Sequence, residues 1–336
     1  MGARRGLPQR EPRTVHGPGG TWPAPRDRGR RNAPVTLRLQ CSTWVTEHTN
    51  LSAFDEHYYT SRDGLRLFAR DYTHANPRAT ILCLHGLTRN SADFTELCEA
   101  LHDDFRLIAV DQRGRGNSAY DPNPENYNPL VYSRDMFDLL DGLGIAQVVV
   151  IGTSMGGIIS MVMGSMDTSR FRAVVLNDIG PVIDPAGLDR IRGYVGKLEP
   201  VNTWTDAEAQ VAATNAIAFP DYGAADWRRF ARKLYREDPT GRPVVAHDPA
   251  IAGSLRDRAE APAVPDLWPA FDVLADIPVL VVRGATSDIL AAACVSEMRR
   301  RRPDLEAVEI PDRGHAPMLD EPAALAALRG FLATVT

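Results

Sequence analysis

Residues 147–156 read QVVVIGTSMG. The run VVVI is apolar and rich in β-branched side chains, as expected of a strand buried on both faces of a parallel sheet. Gly152-Thr153-Ser154-Met155-Gly156 follows at once as G-x-S-x-G, and residues 155–164 continue with the character of an apolar helix. A serine at a sharp strand-to-helix turn has its hydroxyl lifted clear of the sheet. Glycines on either side remove side chains that would collide with the neighbouring elements, and the helix aims its first amides at a place where negative charge is tolerated. The pattern predicts Ser154 as a nucleophile. An incidental serine in a glycine-containing turn is the competing reading; the flanking strand and helix, and a further glycine at 157, favour the nucleophile.

The rest of the chain repeats the strand-then-helix rhythm. Residues 57–60 and 65–71 flank Asp63-Gly64, a hairpin turn signal. Buried strands are predicted at 80–84 (TILCL), 106–110 (RLIAV), 171–176, 278–282 (PVLVV) and 305–310. Helices are predicted at 91–101, with Ser91 as N-cap, and at 133–143, 291–301 and 322–332. Strands alternating with helices predict an α/β fold with a mostly parallel sheet flanked by helices. Residues 181–275 break the rhythm: they contain no convincing strand and hold several aromatic residues, among them Trp204, Phe219, Trp227 and Trp268. The expected organisation is a core of residues 54–180 and 276–336 with a helical cap, residues 181–275, inserted between two strands. The four named aromatics are candidates for an apolar substrate pocket, against the alternative that they pack the cap's own core.

A neutral serine needs a general base, and the base needs an orienting acid. Of eight histidines, only His85 and His315 sit just past predicted buried strands. His315, after the last strand, is the candidate base; His85 is read as bracing its loop by hydrogen bonding. Asp288, in RGATSD after the strand PVLVV, is the preferred acid because it gives the chain order Ser, Asp, His. Asp178, just past the strand at 171–176, is the alternative. Two backbone N–H groups are expected to hold a developing oxyanion: Met155, at the helix start, and Leu87, after the His85-Gly86 pair. The loop DQRGRGNS at 111–118 lacks the spacing of a phosphate or dinucleotide loop, so it is read as a tight structural turn whose arginine pairs with carboxylates.

Bulk properties set the wider limits. In 336 residues, 44% hydrophobic and 24% charged, there is ample material for a core, and a net charge of −5 points to no polyanionic partner. Residues 1–50 begin with a segment rich in Arg, Pro and Gly that has no apolar run; it is expected to be a disordered tail rather than a nucleic-acid or membrane arm. No secretory apolar segment follows its arginines and no stretch approaches the roughly 18 apolar residues of a spanning helix, so the expected location is the cytoplasm, with neither nucleic acid nor membrane as partner. The four cysteines form no C-x-x-C pair, so no metal site is expected.

Taken together, HGLTRN at 85–90, DQRGRGNS at 111–118, GTSMGG at 152–157, GATSD at 284–288 and RGHAPMLDEP at 313–322 resemble the α/β-hydrolase superfamily over roughly residues 54–336. The resemblance implies an eight-stranded sheet, a helical lid and no cofactor. Some family branches use an aspartate nucleophile where Ser154 stands, and some place Trp after the catalytic histidine where Ala316 stands. GHAPMLDEP is more similar to carboxylesterases of the pimeloyl methyl-ester type. The expected function is hydrolysis of a small-molecule carboxylic ester through an acyl-enzyme, in a protein for which a homodimer is the assembly considered. A hydrolase of β-diketone C–C bonds or enol-lactones, and a hydrolase-fold ligand receptor, are the alternatives.

Overall fold

The computed structural model describes residues 54–253 and 266–336. The expected tail, residues 1–50, and residues 254–265 of the expected cap lie outside the described residues. Eight strands form one sheet: β1 (Asp55–Thr60), β2 (Arg66–Tyr72), β3 (Thr80–Leu84), β4 (Arg106–Asp111), β5 (Val148–Thr153), β6 (Phe171–Asn177), β9 (Val279–Gly284) and β10 (Glu306–Ile310). Their spatial order is β1-β2-β4-β3-β5-β6-β9-β10. Only β2 runs against its neighbours; all contacts from β4 through β10 are parallel. The C-terminal ends of β3, β5, β6, β9 and β10 therefore share one edge of the sheet.

Alternation along the strands builds two apolar layers. Leu82, Leu84, Val150, Leu176 and Val281 face one layer, closed by α2 (Pro129–Gly142), α3 (Met155–Met166) and α7 (Trp268–Asp272). Ile81, Cys83, Val149, Val175 and Val282 face the other, closed by α1 (Thr95–Leu101) and α9 (Pro322–Val335). α8 (Ala292–Arg301) connects β9 to β10 and buries Cys294 and Met298 against the first layer. The start of α2 and the cap of the segment leading into α1 lie upstream of their expected places. α2 begins at Pro129 rather than at the expected Ser133; Asn128 caps it, its side chain accepting from Val131 N–H, with Pro129 in the first turn where no N–H is needed. Asn90, not Ser91, caps the short 3₁₀ turn Ser91–Phe94 that leads into α1.

Between β6 and β9 the described chain carries α4 (Pro185–Tyr194), α5 (Trp204–Asn215) and α6 (Ala224–Leu234). It also carries a two-stranded ribbon that the sequence reading did not expect, β7 (Tyr235–Glu237) and β8 (Pro243–Val245), paired antiparallel. Strands of three residues are too short to show alternation. The ribbon is held by its turn, where the Asp238 carboxylate accepts from the N–H groups of Thr240 and Arg242, and Gly241 takes a φ of 83°. Val211, Phe219, Phe230 and Tyr235 form a separate small core for this insertion.

In the loop after β4, Arg113 is fully buried and pairs with Asp63, Asp121 and Asp135, as the sequence reading expected of this turn. Arg115 is equally buried but pairs with no carboxylate among the described residues; it donates to the carbonyls of Leu87 and Arg113, to the Tyr132 hydroxyl and to Met155 Sδ. No helix among the described residues is long and apolar enough to cross a membrane.

Candidate active site

Ser154 sits between β5 and α3 with φ 54° and ψ −117°, a conformation that costs energy for any residue with a side chain. The turn is held by the Ser154 N–H donating to the Asn177 carbonyl at 2.9 Å. The flanking glycines are sterically required. A Cβ on Gly156 would lie 2.0 Å from the Leu84 carbonyl oxygen, and one on Gly152 would lie 2.5 Å from the Gly156 carbonyl. The strand, the turn and the helix thus pack too closely for any larger residue, and the serine hydroxyl is left on the open side.

The loop after β10 brings His315 to this hydroxyl. His315 Nε2 lies 2.8 Å from Ser154 Oγ, and Nδ1 lies 2.8 Å from Asp178 Oδ2. Asp178 is wholly buried just past the end of β6, and it also accepts from Gly284 N–H at 2.8 Å and from Ser287 Oγ at 2.6 Å. The loop is clamped on both sides of the histidine. Arg313 pairs with Asp221 of the insertion and with Glu321, and Gly314 N–H donates to the Ala218 carbonyl.

The structure therefore brings together Ser154, His315 and Asp178, and it corrects the preference for Asp288. The Asp288 carboxylate is taken in a two-point grip by Arg190 of α4, at 2.5 and 2.8 Å. Burial opposes ionisation of Asp288, but the Arg190 guanidinium outweighs it and holds the carboxyl below its ordinary value. The sheet order explains the choice. β6 lies directly beside β5, so a carboxylate at its end is within one imidazole of Ser154, whereas β9 is one strand farther away. Ser287, one residue before Asp288, does reach the site as a donor to Asp178. The sequence signal for Asp178 was the polar pair Asn177-Asp178 closing the apolar run of residues 173–176. Arg190, which claims Asp288, carried no signal.

The expected oxyanion donors lie on either side of the serine. Neither the Leu87 nor the Met155 N–H has an acceptor among the described residues. Leu87 follows a peptide fixed from the core side. His85 is fully buried; its Nε2 accepts from Gln112 N–H at 3.0 Å, so Nδ1 carries the proton and donates to the Gly86 carbonyl at 2.7 Å. In a trans peptide the N–H points opposite to the carbonyl. Holding Gly86 C=O inward thus turns the Leu87 N–H outward, and Arg115 Nε holds the next carbonyl, that of Leu87, at 2.9 Å.

Burial, with Arg115 nearby, lowers the His85 pKa from 6.5 to about 3. Between those values the unfolded chain takes up a proton that the folded chain refuses. The stability that depends on a neutral ring is complete above about pH 6.5 and declines as the pH falls toward about 3. Urea unfolding measured from about pH 7 down to about pH 4 should show a slope steeper than that of His85→Gln by about 1.4 kcal/mol per pH unit. Equal slopes would mean that the ring is charged in the folded protein.

The hydroxyl faces a cavity of about 680 Å³. Its apolar walls include Ile191 and Val195, Phe219, Phe230 and Met318; Thr88, Arg89, Tyr194 and Asn215 supply polar atoms. Of the four expected cap aromatics only Phe219 lines it. Trp204 donates to Glu237 and lies under Arg232, Trp227 packs against Phe219, Tyr222 and Phe230, and Trp268 lies under Arg301 against Phe271. These three serve packing, the alternative weighed for them. Among the described residues no group of three or more His, Cys, Asp or Glu side chains is placed to hold a metal ion.

A serine, an imidazole and a carboxylate delivered by loops at one edge of a mostly parallel sheet, with a helical insertion after β6, is the layout of an α/β-hydrolase. The profile of the alpha/beta hydrolase family matches residues 81–328, and the chain belongs to that family. It is 35% identical over 258 residues to a 3-hydroxybutyrate-oligomer hydrolase of Cupriavidus necator, covering 75% of this chain and 87% of the relative. It is 32% identical over 235 residues to a 2-(acetamidomethylene)succinate hydrolase of Mesorhizobium japonicum, covering 70% and 81%. A crystal structure of an alpha/beta hydrolase from Novosphingobium aromaticivorans superposes with a TM-score of 0.79 at 42% identity, covering 84% of this chain and 99% of the other.

Proposed function

We propose that the protein is a serine hydrolase of carboxylic esters, with short oligoesters of hydroxy acids as its substrate class. The observation that carries the reading is the His315 ring, within 2.8 Å of Ser154 Oγ on one side and of Asp178 on the other. In the proposed cycle His315 Nε2 takes the proton as Ser154 Oγ attacks the ester carbonyl. The Leu87 and Met155 N–H groups receive the oxyanion. His315 returns the proton to the leaving alcohol, and an acyl-enzyme remains. Water, deprotonated by the same ring, then releases the acid. Asp178 keeps the proton on Nδ1 so that Nε2 is free to accept. Asp288 has no part in the proton transfer; it ties α4, and with it Ile191 and Tyr194, to the core.

The oligoester class is supported by the activity named for the Cupriavidus relative and by a largely apolar cavity wide enough for groups on both sides of an ester. The test is a panel of p-nitrophenyl acetate, linear 3-hydroxybutyrate dimer and trimer, and a ring-fission β-diketone. Ester hydrolysis with the diketone untouched is the expected outcome. Cleavage of the diketone alone would move the protein to C–C hydrolases, and ligand-induced thermal stabilisation without turnover would make it a receptor.

A further inference from the structure

A second cavity of about 320 Å³ lies inside the insertion, walled by Leu198, Val211, Leu234, Tyr235, Val245 and His247. It is a neighbour of the first and shares a wall residue with it. Thr88, next to the oxyanion donor Leu87, lines both cavities, and at the end of α5 Thr214 borders the second while Asn215 borders the first. We infer that this cavity is a distal subsite, which takes the uncharged hydroxyacyl unit next but one to the scissile ester on the acyl side. The inference rests on the ester-hydrolase reading above.

Size and chemistry select that occupant. The second cavity has less than half the volume of the first, about 320 against about 680 Å³, so it suits one unit of a substrate better than a whole one. No charged side chain lines the second cavity. Its polar groups are few: Thr88, Thr214, the Tyr235 hydroxyl, which donates to Gln210, Gln210 itself, whose amide NH₂ donates to the Glu199 carbonyl, and His247. The ring nitrogens of His247 have no partner among the described residues. Burial and the nearby Arg115 lower its pKa to about 4, so the neutral ring offers one donor and one acceptor. An apolar pocket with one such ring fits a unit that has a methyl branch and an ester carbonyl or terminal hydroxyl.

The same inventory fixes the direction of the chain. An oligomer of hydroxy acids has a free carboxylate at its alcohol-side end. Among the described residues the only arginine or lysine lining either cavity is Arg89, in the first. Asp93, which lines the same cavity, engages its Nε and Nη2, which leaves Nη1 for a further acceptor. The carboxylate end therefore stays in the first cavity, and the neutral hydroxyl end extends past Thr88 into the second. A dimer has no unit to place there; a trimer has one.

Steady-state kinetics on p-nitrophenyl acetate and on 3-hydroxybutyrate dimer and trimer test this, with the full chain and with Val245→Phe and Leu198→Phe, each of which puts a ring into the second cavity. The native protein should favour trimer over dimer in kcat/KM by about tenfold or more. Both substitutions should bring that ratio close to one, mainly by loss on the trimer. If Val245→Phe fails to fold, as judged by circular dichroism, Leu198→Phe, outside helix and strand, decides. A ratio near one in the native protein, a ratio unchanged in the folded variants, or an equal loss on all three substrates would each overturn the subsite. Turnover of p-nitrophenyl acetate without a trimer preference rejects the subsite alone; no turnover of any ester rejects the ester-hydrolase reading and the subsite with it.

Discussion

Ser154→Ala is expected to lower kcat on p-nitrophenyl acetate by roughly 10³-fold or more while leaving KM close to the native value. The substitution removes one oxygen. Alanine keeps the Cβ, so the φ of 54° costs what it cost with serine, and the backbone hydrogen bonds of the turn, Ser154 N–H to Asn177 and Gly157 N–H to the residue 154 carbonyl, do not involve the side chain. The variant should therefore fold, and thermal unfolding should show a midpoint near that of the native protein. Any residual rate would come from the Leu87 and Met155 amides acting on water attack, as in serine hydrolases stripped of the nucleophile. A folded Ser154→Ala protein with native esterase activity would place the chemistry elsewhere in the molecule.

That serine was legible because its constraint is local. Three steric demands, a buried strand, a turn without room for Cβ atoms and a helix start, fall within ten consecutive residues, and G-x-S-x-G records all three. The strands TILCL, RLIAV and PVLVV were legible for a similar reason: each carries a run of four or more apolar residues because it is covered on both faces. The acid was a different kind of question. Asp178 and Asp288 both follow buried strands, and what separates them is the placement of β6 next to β5, which is a fact about pairing across the sheet. A further fact, that Arg190 already holds Asp288, links residues 98 positions apart. The insertion was legible as helical and aromatic, yet side-chain direction was not. Trp204 and Trp227 share their residue type with pocket-lining aromatics elsewhere but turn toward Glu237 and toward the insertion's own core, while the pocket is closed by Tyr194, Phe219 and Phe230.

The assignment of the acid predicts opposite behaviour for two conservative changes. Asp178→Asn should cost about 10⁴ in kcat, the size of effect that an amide in this position has in serine proteases. The amide would keep its oxygen toward Gly284 N–H and turn its NH₂ toward His315 Nδ1. The ring would then hold its proton on Nε2, facing Ser154 Oγ, and could not accept the serine proton. Asp288→Asn should leave kcat within a few-fold of native. Its carboxylate and its Arg190 partner are both partly exposed, so the pair is worth about 1 kcal/mol or less. What it would loosen is α4, whose Ile191 and Tyr194 line the cavity, and the expected signature is a higher KM. The two variants separate an acid that fixes a tautomer from one that fixes a helix. If Asp288→Asn abolished kcat while Asp178→Asn spared it, the hydrogen bond between His315 and Asp178 would be structural, and the orienting acid would have to reach the ring through a rearranged loop.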